Sequence, residues 1–153
     1  MIDTADHLMD SNILLRISRR GDASHSDVAG AISSLRKAGS LLYFTIQNIA
    51  EAWNVFTRPV ERNGFGLSIE EAEREVKAFE KVMILLPDNR DVYAEWRRLV
   101  VAHAVRGAKV HDARLVAAMK VHGVTHVLTL NTSDFARYPG ITAVHPRSLA
   151  GAS

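Results

Sequence analysis

The sequence predicts an α/β domain built on a mostly parallel five-stranded sheet with helices on both faces. Three observations point there. Short apolar runs occur at about 7–10, 41–45, 82–86, 126–130 and 141–144, most of them are separated by segments of helical periodicity, and turn-forming residues punctuate the joins. Strands separated by helices need crossover connections, and crossovers lie over the faces of a parallel sheet. A chain of 153 residues can bury one sizeable core and is short for two. Residues 1–146 therefore read as one domain and 147–153 as a short tail, with Ala150 to Ser153 frayed.

In chain order, His7-Leu8-Met9 meets a carboxylate, a hydroxyl and an amide at Asp10-Ser11-Asn12, then turns apolar again at Ile13-Leu14-Leu15. This is a strand ending in a polar turn that opens a helix. After the turn Arg19-Arg20-Gly21-Asp22, a helix spans about 26–37 with Val28, Ile32 and Leu35 on one stripe and Gly39 as its stop. The aromatic strand 41–45 passes straight into a helix whose stripe is Ile46, Ile49, Ala50, Trp53 and Phe56. Asn63-Gly64-Phe65-Gly66 breaks the pattern, and Ser68 with Glu71 forms a capping box for a helix facing Ile69, Ala72, Val76 and Phe79 inward.

The continuous apolar run 82–86, ended by Pro87, suits a strand buried on both faces. Asp88 to Asp91 supply caps for a long helix with Val92, Trp96, Leu99, Val100 and His103 on its stripe, closed by Gly107. A helix over about 112–122 stops at Gly123 and leads to strand 126–130. Turns at Asn131 to Phe135 and at Tyr138-Pro139-Gly140 precede the last strand, and this connection is too short for a full helix.

Composition narrows the function. At 47% hydrophobic and 24% charged the chain is an ordinary soluble globular protein. The absence of cysteine excludes disulfides and thiolate metal sites and suits a cytoplasmic enzyme. The acidic start, Met1 to Asp6, lacks the basic region of a signal peptide, and no apolar run approaches a membrane span. A net charge of +2, from 19 Lys+Arg against 17 Asp+Glu, is far from the basic excess of a protein that coats nucleic acid. Locally, Arg16, Arg19 and Arg20 gather after Asp10, and Arg97, Arg98, Arg106 and Lys109 gather before Asp112; solvated helix faces are the first reading of both clusters. The seven histidines include no His-Glu-x-x-His pair, and no phosphate-cradling glycine loop follows a strand. Trp53 and Trp96 lie on apolar stripes and read as core or dimer contacts.

Parallel strands end at one edge of the sheet, where ligands bind in open α/β folds. Asp10 ends the first strand, Asp134 lies just past the fourth, Glu51 is two turns into the helix after the second, and Asp112 opens the helix before the fourth. Each has a structural reading. Asp10 can cap a helix, Asp112 suits a helix dipole, Glu51 falls off the apolar stripe beside Gln47 and Asn54, and Asp134 can cap a turn. Converging carboxylates repel, and a hard divalent cation relieves the conflict. Such an ion lowers the pKa of water and polarises a phosphate it touches, which suits phosphodiester hydrolysis.

Four segments then form an ordered set: Met9-Asp10-Ser11-Asn12-Ile13-Leu14, Thr45-Ile46-Gln47-Asn48-Ile49-Ala50-Glu51, Val110-His111-Asp112-Ala113-Arg114-Leu115-Val116-Ala117-Ala118, and Leu128-Thr129-Leu130-Asn131-Thr132-Ser133-Asp134-Phe135. The set resembles the four motifs of PIN-domain ribonucleases, nearest to the VapC-like toxins of toxin-antitoxin pairs. The resemblance implies a three-layer α/β/α sandwich and Mg²⁺- or Mn²⁺-dependent cleavage of RNA, with a homodimer and a cognate antitoxin as partners. By the match, Asp10, Glu51 and Asp112 hold metal or orient water, Asp134 is the fourth acidic candidate, and Ser11, Asn131 and Arg16 are candidate substrate contacts. Ser11 stands where Thr is common, and Asn131 where some members carry Asp, which leaves one metal or two open. Two other readings of the same scaffold are a non-catalytic RNA- or partner-binding module and a phosphatase or phosphotransfer domain using Asp10 as nucleophile.

Overall fold

A computed structural model describes residues 5–150; residues 1–4 and 151–153, which hold most of the acidic N-terminal segment and the end of the tail, lie outside them. The strands are β1 (His7–Met9), β2 (Leu42–Phe44), β3 (Ile84–Leu85), β4 (His126–Leu128) and β5 (Thr142–Val144). The helices are α1 (Ser11–Ile17), α2 (His25–Lys37), α3 (Ile46–Thr57), α4 (Ile69–Val82), α5 (Arg90–Ala102), α6 (Val110–His122) and α7 (Arg147–Ala150). All strand pairings are parallel, in the order β3-β2-β1-β4-β5.

Side-chain alternation along the strands divides the core into two layers. Leu8 and Val127, paired in register, face Val92 and Leu99 of α5 and the buried run Leu115 to Met119 of α6. Their neighbours Met9 and Leu128, also paired, face the opposite side, against Ile13, Val28, Phe56 and Phe79 from α1 to α4. The result is helix, sheet, helix in three layers. Among the described residues no helix is long and apolar enough to cross a membrane.

Three local expectations change. The run 82–86 is no doubly buried strand: β3 has two residues, Ile84 and Leu85, both about half exposed, because it is an edge strand and α4 extends through Val82. The buried face of α3 is rotated from its apolar stripe. Gln47, Asn48, Ala52 and Phe56 point inward while Ile46 and Ala50 are exposed, and Ile69 of α4 is likewise exposed. Gly107 does not close α5, which stops at Ala102; with φ +58 it opens a 3-10 turn, Gly107–Lys109, that runs directly into α6.

The short β4–β5 connection manages without a helix. A 3-10 turn, Thr132–Phe135, buries Phe135, and Tyr138 is buried beyond it, so two aromatic rings cover the sheet where a crossover helix would. At the C-terminus α7 packs on α2, with Ser34 Oγ donating to Leu149 O at 3.1 Å.

The loop after α3 turns back on that helix: Gly66 N donates to Arg58 O at 2.9 Å and Leu67 N to Phe56 O at 2.8 Å. A Cβ at Gly64 would lie 2.0 Å from Arg58 O, whereas one at Gly21 meets nothing within 4 Å. Gly64→Ala should lower Tm by about 5 °C or more, the effect of a clash worth roughly 2 kcal/mol. Gly21→Ala should leave it within about 2 °C, and thermal unfolding of the two variants measures the contrast.

Candidate active site

The carboxyl ends of β1, β2 and β4 lie side by side, and each is followed at once by polar residues that satisfy one another. Asp10 is the N-cap of α1: its Oδ1 accepts from Ser11 N at 2.7 Å. Its Oδ2 accepts from Thr129 Oγ1 at 2.8 Å, just past the end of the adjacent β4. Thr129 is fully buried, and its hydroxyl also accepts from Asn131 N at 3.0 Å. Asn12 completes this corner, accepting from Leu130 N at 3.2 Å while its Nδ2 reaches Thr129 Oγ1 at 3.4 Å.

The second strand contributes through a capping box. Thr45 caps α3 and accepts from Asn48 N at 3.2 Å, and the Asn48 side chain accepts from Thr45 N at 2.8 Å. The fully buried Asn48 Nδ2 then donates to Ser11 Oγ at 3.2 Å, and Ser11 Oγ donates to Glu51 Oε1 at 3.2 Å. Glu51 is exposed, one turn beyond Gln47 and Asn48 on the polar side of α3. Its position off the apolar stripe thus places it at the edge that holds Asp10.

Asp112 reaches the same edge because α6 is tied to its neighbours at its first turn. Gln47 Nε2 donates to His111 O at 2.9 Å, and Trp96 Nε1 donates to Val110 O at 2.9 Å. Asp134, in the turn after β4, accepts at Oδ1 from Lys109 Nζ at 2.8 Å. The N-termini of α1, α3 and α6 therefore gather around the four acids, each offering the positive end of a helix.

The proximity of the acids has electrostatic consequences. Burial pushes the Asp10 carboxyl up from its ordinary value; hydrogen bonds from Thr129 and Ser11 oppose this, and the charges of Glu51 and Asp134 add to it. Asp112 is pushed up to about 6, first by burial, then by Asp134 and Asp10, with Lys109 opposing and Glu51 adding. Asp10 and Asp112 thus each feel the charges of Glu51 and Asp134, although among the described residues no three acids close tightly enough to grip a single ion directly. The donor set still fits Mg²⁺ or Mn²⁺. All its donors are hard oxygens, and these ions commonly take one or two carboxylates directly and retain several waters.

Of the candidate substrate contacts, Ser11 lies inside the network and the exposed Asn131 sits at its rim. The Arg16 guanidinium is instead directed to Asp22 at 3.0 Å, in the turn after α1. Sequence reading passed over Thr129, Asn12, Asn48 and Gln47 as individual site residues. Thr129 carried a usable signal, a hydroxyl one residue past a parallel strand. Both Asp10 oxygens accept hydrogen bonds, so the carboxylate is fixed in orientation. A cleft of about 400 Å³ lies between α5 and the start of α6, lined by Asn89, Tyr93, Trp96, His111 and Arg114.

The raised Asp112 has a consequence for stability. The folded chain holds this proton more tightly than the unfolded chain, so the stability linked to it is present below the ordinary value of 3.8 and is lost as pH rises to about 6. Asp112→Asn removes that loss. Because solvent screens a half-exposed carboxylate, its Tm near neutral pH should exceed that of the wild-type chain without metal by only about 2–4 °C. The difference should vanish below about pH 4, which melting curves across pH would measure.

No family model and no curated protein matches the chain by sequence. Solved structures do match in fold. VapBC2 from Rickettsia felis, bound to a DNA fragment from its promoter, is 12% identical with a TM-score of 0.67, covering 91% of this chain and 97% of the matched one. VapC20 from Mycobacterium tuberculosis, a toxin that cleaves the sarcin-ricin loop, is 16% identical with a TM-score of 0.59 over 80% and 87%. A toxin-antitoxin complex from Klebsiella pneumoniae is 20% identical with a TM-score of 0.62 over 92% and 98%. Together with the parallel five-stranded sheet and its helical layers, these likenesses give the chain the PIN-domain fold.

Proposed function

We propose that the chain is a metal-dependent endoribonuclease and the toxin of a toxin-antitoxin pair. The observation that carries this reading is the gathering of Asp10, Glu51, Asp112 and Asp134 from four separate elements at the carboxyl edge of a PIN-type sheet. Its support from likeness is that VapC20, which shares the fold, is a toxin that cleaves the sarcin-ricin loop. Asp10, Glu51 and Asp112 would hold Mg²⁺ or Mn²⁺, some of them through water, with Asp134 adding negative charge from the rim. The ion supplies an activated water and neutralises charge on the phosphate under attack.

The chain's own residues prepare that site. Thr129 and Ser11 N orient the Asp10 carboxylate and favour its charged form against burial. Ser11 links Asn48 to Glu51 and so holds Glu51 toward the same point. Gln47 fixes the first turn of α6, and with it Asp112. A cognate antitoxin is supported by fold relatives solved as toxin-antitoxin complexes. A homodimer belongs to the same reading, and sedimentation would measure it.

The test uses the full chain, total bacterial RNA and added Mn²⁺. Cleavage should require the metal. Asp10→Asn and Asp112→Asn should lose about a hundredfold or more in rate while still melting cooperatively. Thr129→Val, which takes the donor from Asp10 and leaves its carboxylate, should lose roughly tenfold or more. A wild-type chain that neither cuts RNA nor binds Mn²⁺ by calorimetry would overturn the proposal and leave a non-catalytic binding module.

A further inference from the structure

We infer that Lys109 is the protein's own cation for the RNA phosphodiester at this site, with Asp134 acting as the residue that positions it. The inference rests on the ribonuclease reading above and names how that site receives its substrate.

An acidic edge built to hold a divalent ion has an unavoidable defect as a binding site for RNA: every carboxylate that attracts the metal repels the phosphate. A fixed positive charge at the rim offsets this. The cations nearest in sequence to the acids are mostly engaged elsewhere. Arg16 pairs with Asp22, and Arg114, in the second turn of α6, pairs with Asp88. Lys109 is different. It ends the turn Gly107–Lys109, three residues before Asp112, and bonds Asp134. It is also the cation that acts on Asp112, where the other acting charges are the carboxylates of Asp134, Asp10 and Glu51.

Two features suit it to bind phosphate rather than merely to neutralise Asp134. First, the Lys109 side chain is 51% exposed, against 27% for Asp134, so the carboxylate is the more enclosed partner and the lysine the more accessible one. Second, an ammonium carries three donors and the Asp134 bond uses one, which leaves others for the oxygens of an incoming phosphate. Lysine binds phosphate as a point charge without demanding one approach direction, which suits a backbone contact carrying no sequence information. The backbone places it firmly: Gly107, at φ +58, sets the turn, and α6 begins at the next residue after Lys109.

The competing role is a built-in stand-in for the metal, an ammonium that occupies charge the ion would otherwise satisfy. Lys109→Ala separates the two. Binding would be measured on a pool of random-sequence 20-nucleotide RNAs, with Ca²⁺ in place of Mg²⁺, across a salt series. As a phosphate contact, Lys109→Ala should weaken binding roughly three- to tenfold and lower the slope of log affinity against log salt by about 0.7, the value for one phosphate on a single strand. Lys109→Arg should restore most of both, and Lys37→Ala, at the end of α2 leading into the opposite edge of the sheet, should change neither. In the Asp134→Asn background, where the ammonium is no longer held in place, Lys109→Ala should cost less RNA affinity than it does in the wild-type chain. Mn²⁺ affinity by calorimetry should stay within about threefold in Lys109→Ala, and its Tm within about 2 °C, as expected for an exposed ion pair.

RNA affinity and salt slope unchanged in Lys109→Ala would overturn the inference, and tighter Mn²⁺ binding alongside would assign Lys109 to the metal instead. In either case a wild-type chain that cuts RNA with Mn²⁺ leaves the ribonuclease reading standing. A wild-type chain that does not cut removes that reading itself.

Discussion

A carboxylate buried at the end of a parallel strand is stable only if donors meet it, and the meeting of Asp10 with Ser11 N and Thr129 Oγ1 organises the rest of this molecule's working edge. That pair of bonds joins β1 to β4 beyond their last ladder contacts and fixes the start of α1 in the same stroke. From Ser11 the network runs through Asn48 into the capping box of α3 and out to Glu51. One buried acid thus ties three strand ends and two helix starts together. The polar residues that satisfy it are also those that aim the other acids.

This arrangement holds two opposing demands in balance. Hydrogen bonds favour the charged form of Asp10, while burial and neighbouring carboxylates disfavour it, and at Asp112 burial and repulsion prevail over Lys109. A site of this kind is not at its electrostatic best when alone. The negative charge that raises Asp112 is the same charge that makes a divalent ion favourable, so the cost carried by the fold is the source of the affinity proposed for the metal. Lys109 lies on the boundary between these demands, close enough to temper the acids and exposed enough to meet an anion from outside.

Much of the architecture is legible from local pattern. The capping box at Ser68 and Glu71 forms as read, Gly123 takes the left-handed conformation that ends α6, and the alternation of Leu8 and Met9 assigns the two faces of the sheet. Where local reading missed, the reason is tertiary. The apolar run 82–86 looks like a central strand, but strand order leaves β3 at an edge, and no local pattern encodes strand order. The α3 stripe is displaced because Gln47 and Asn48 turn inward to hydrogen-bond partners contributed from α6 and α1, which leaves Ile46 exposed.

By itself the sequence determined which segments become strands and helices, and that acids stand at the ends of several of them, because periodicity and capping act over a few residues. The tertiary structure alone decided that these acids share one edge, that Arg16 turns away to Asp22 while Lys109 turns in to Asp134, and that Thr129 anchors Asp10. Those outcomes depend on contacts between residues 25 to 119 positions apart in the case of Lys109 and Thr129. Only the approach of the start of α6 to the turn after β4, and the pairing of β4 beside β1, bring such distant side chains within hydrogen-bond reach.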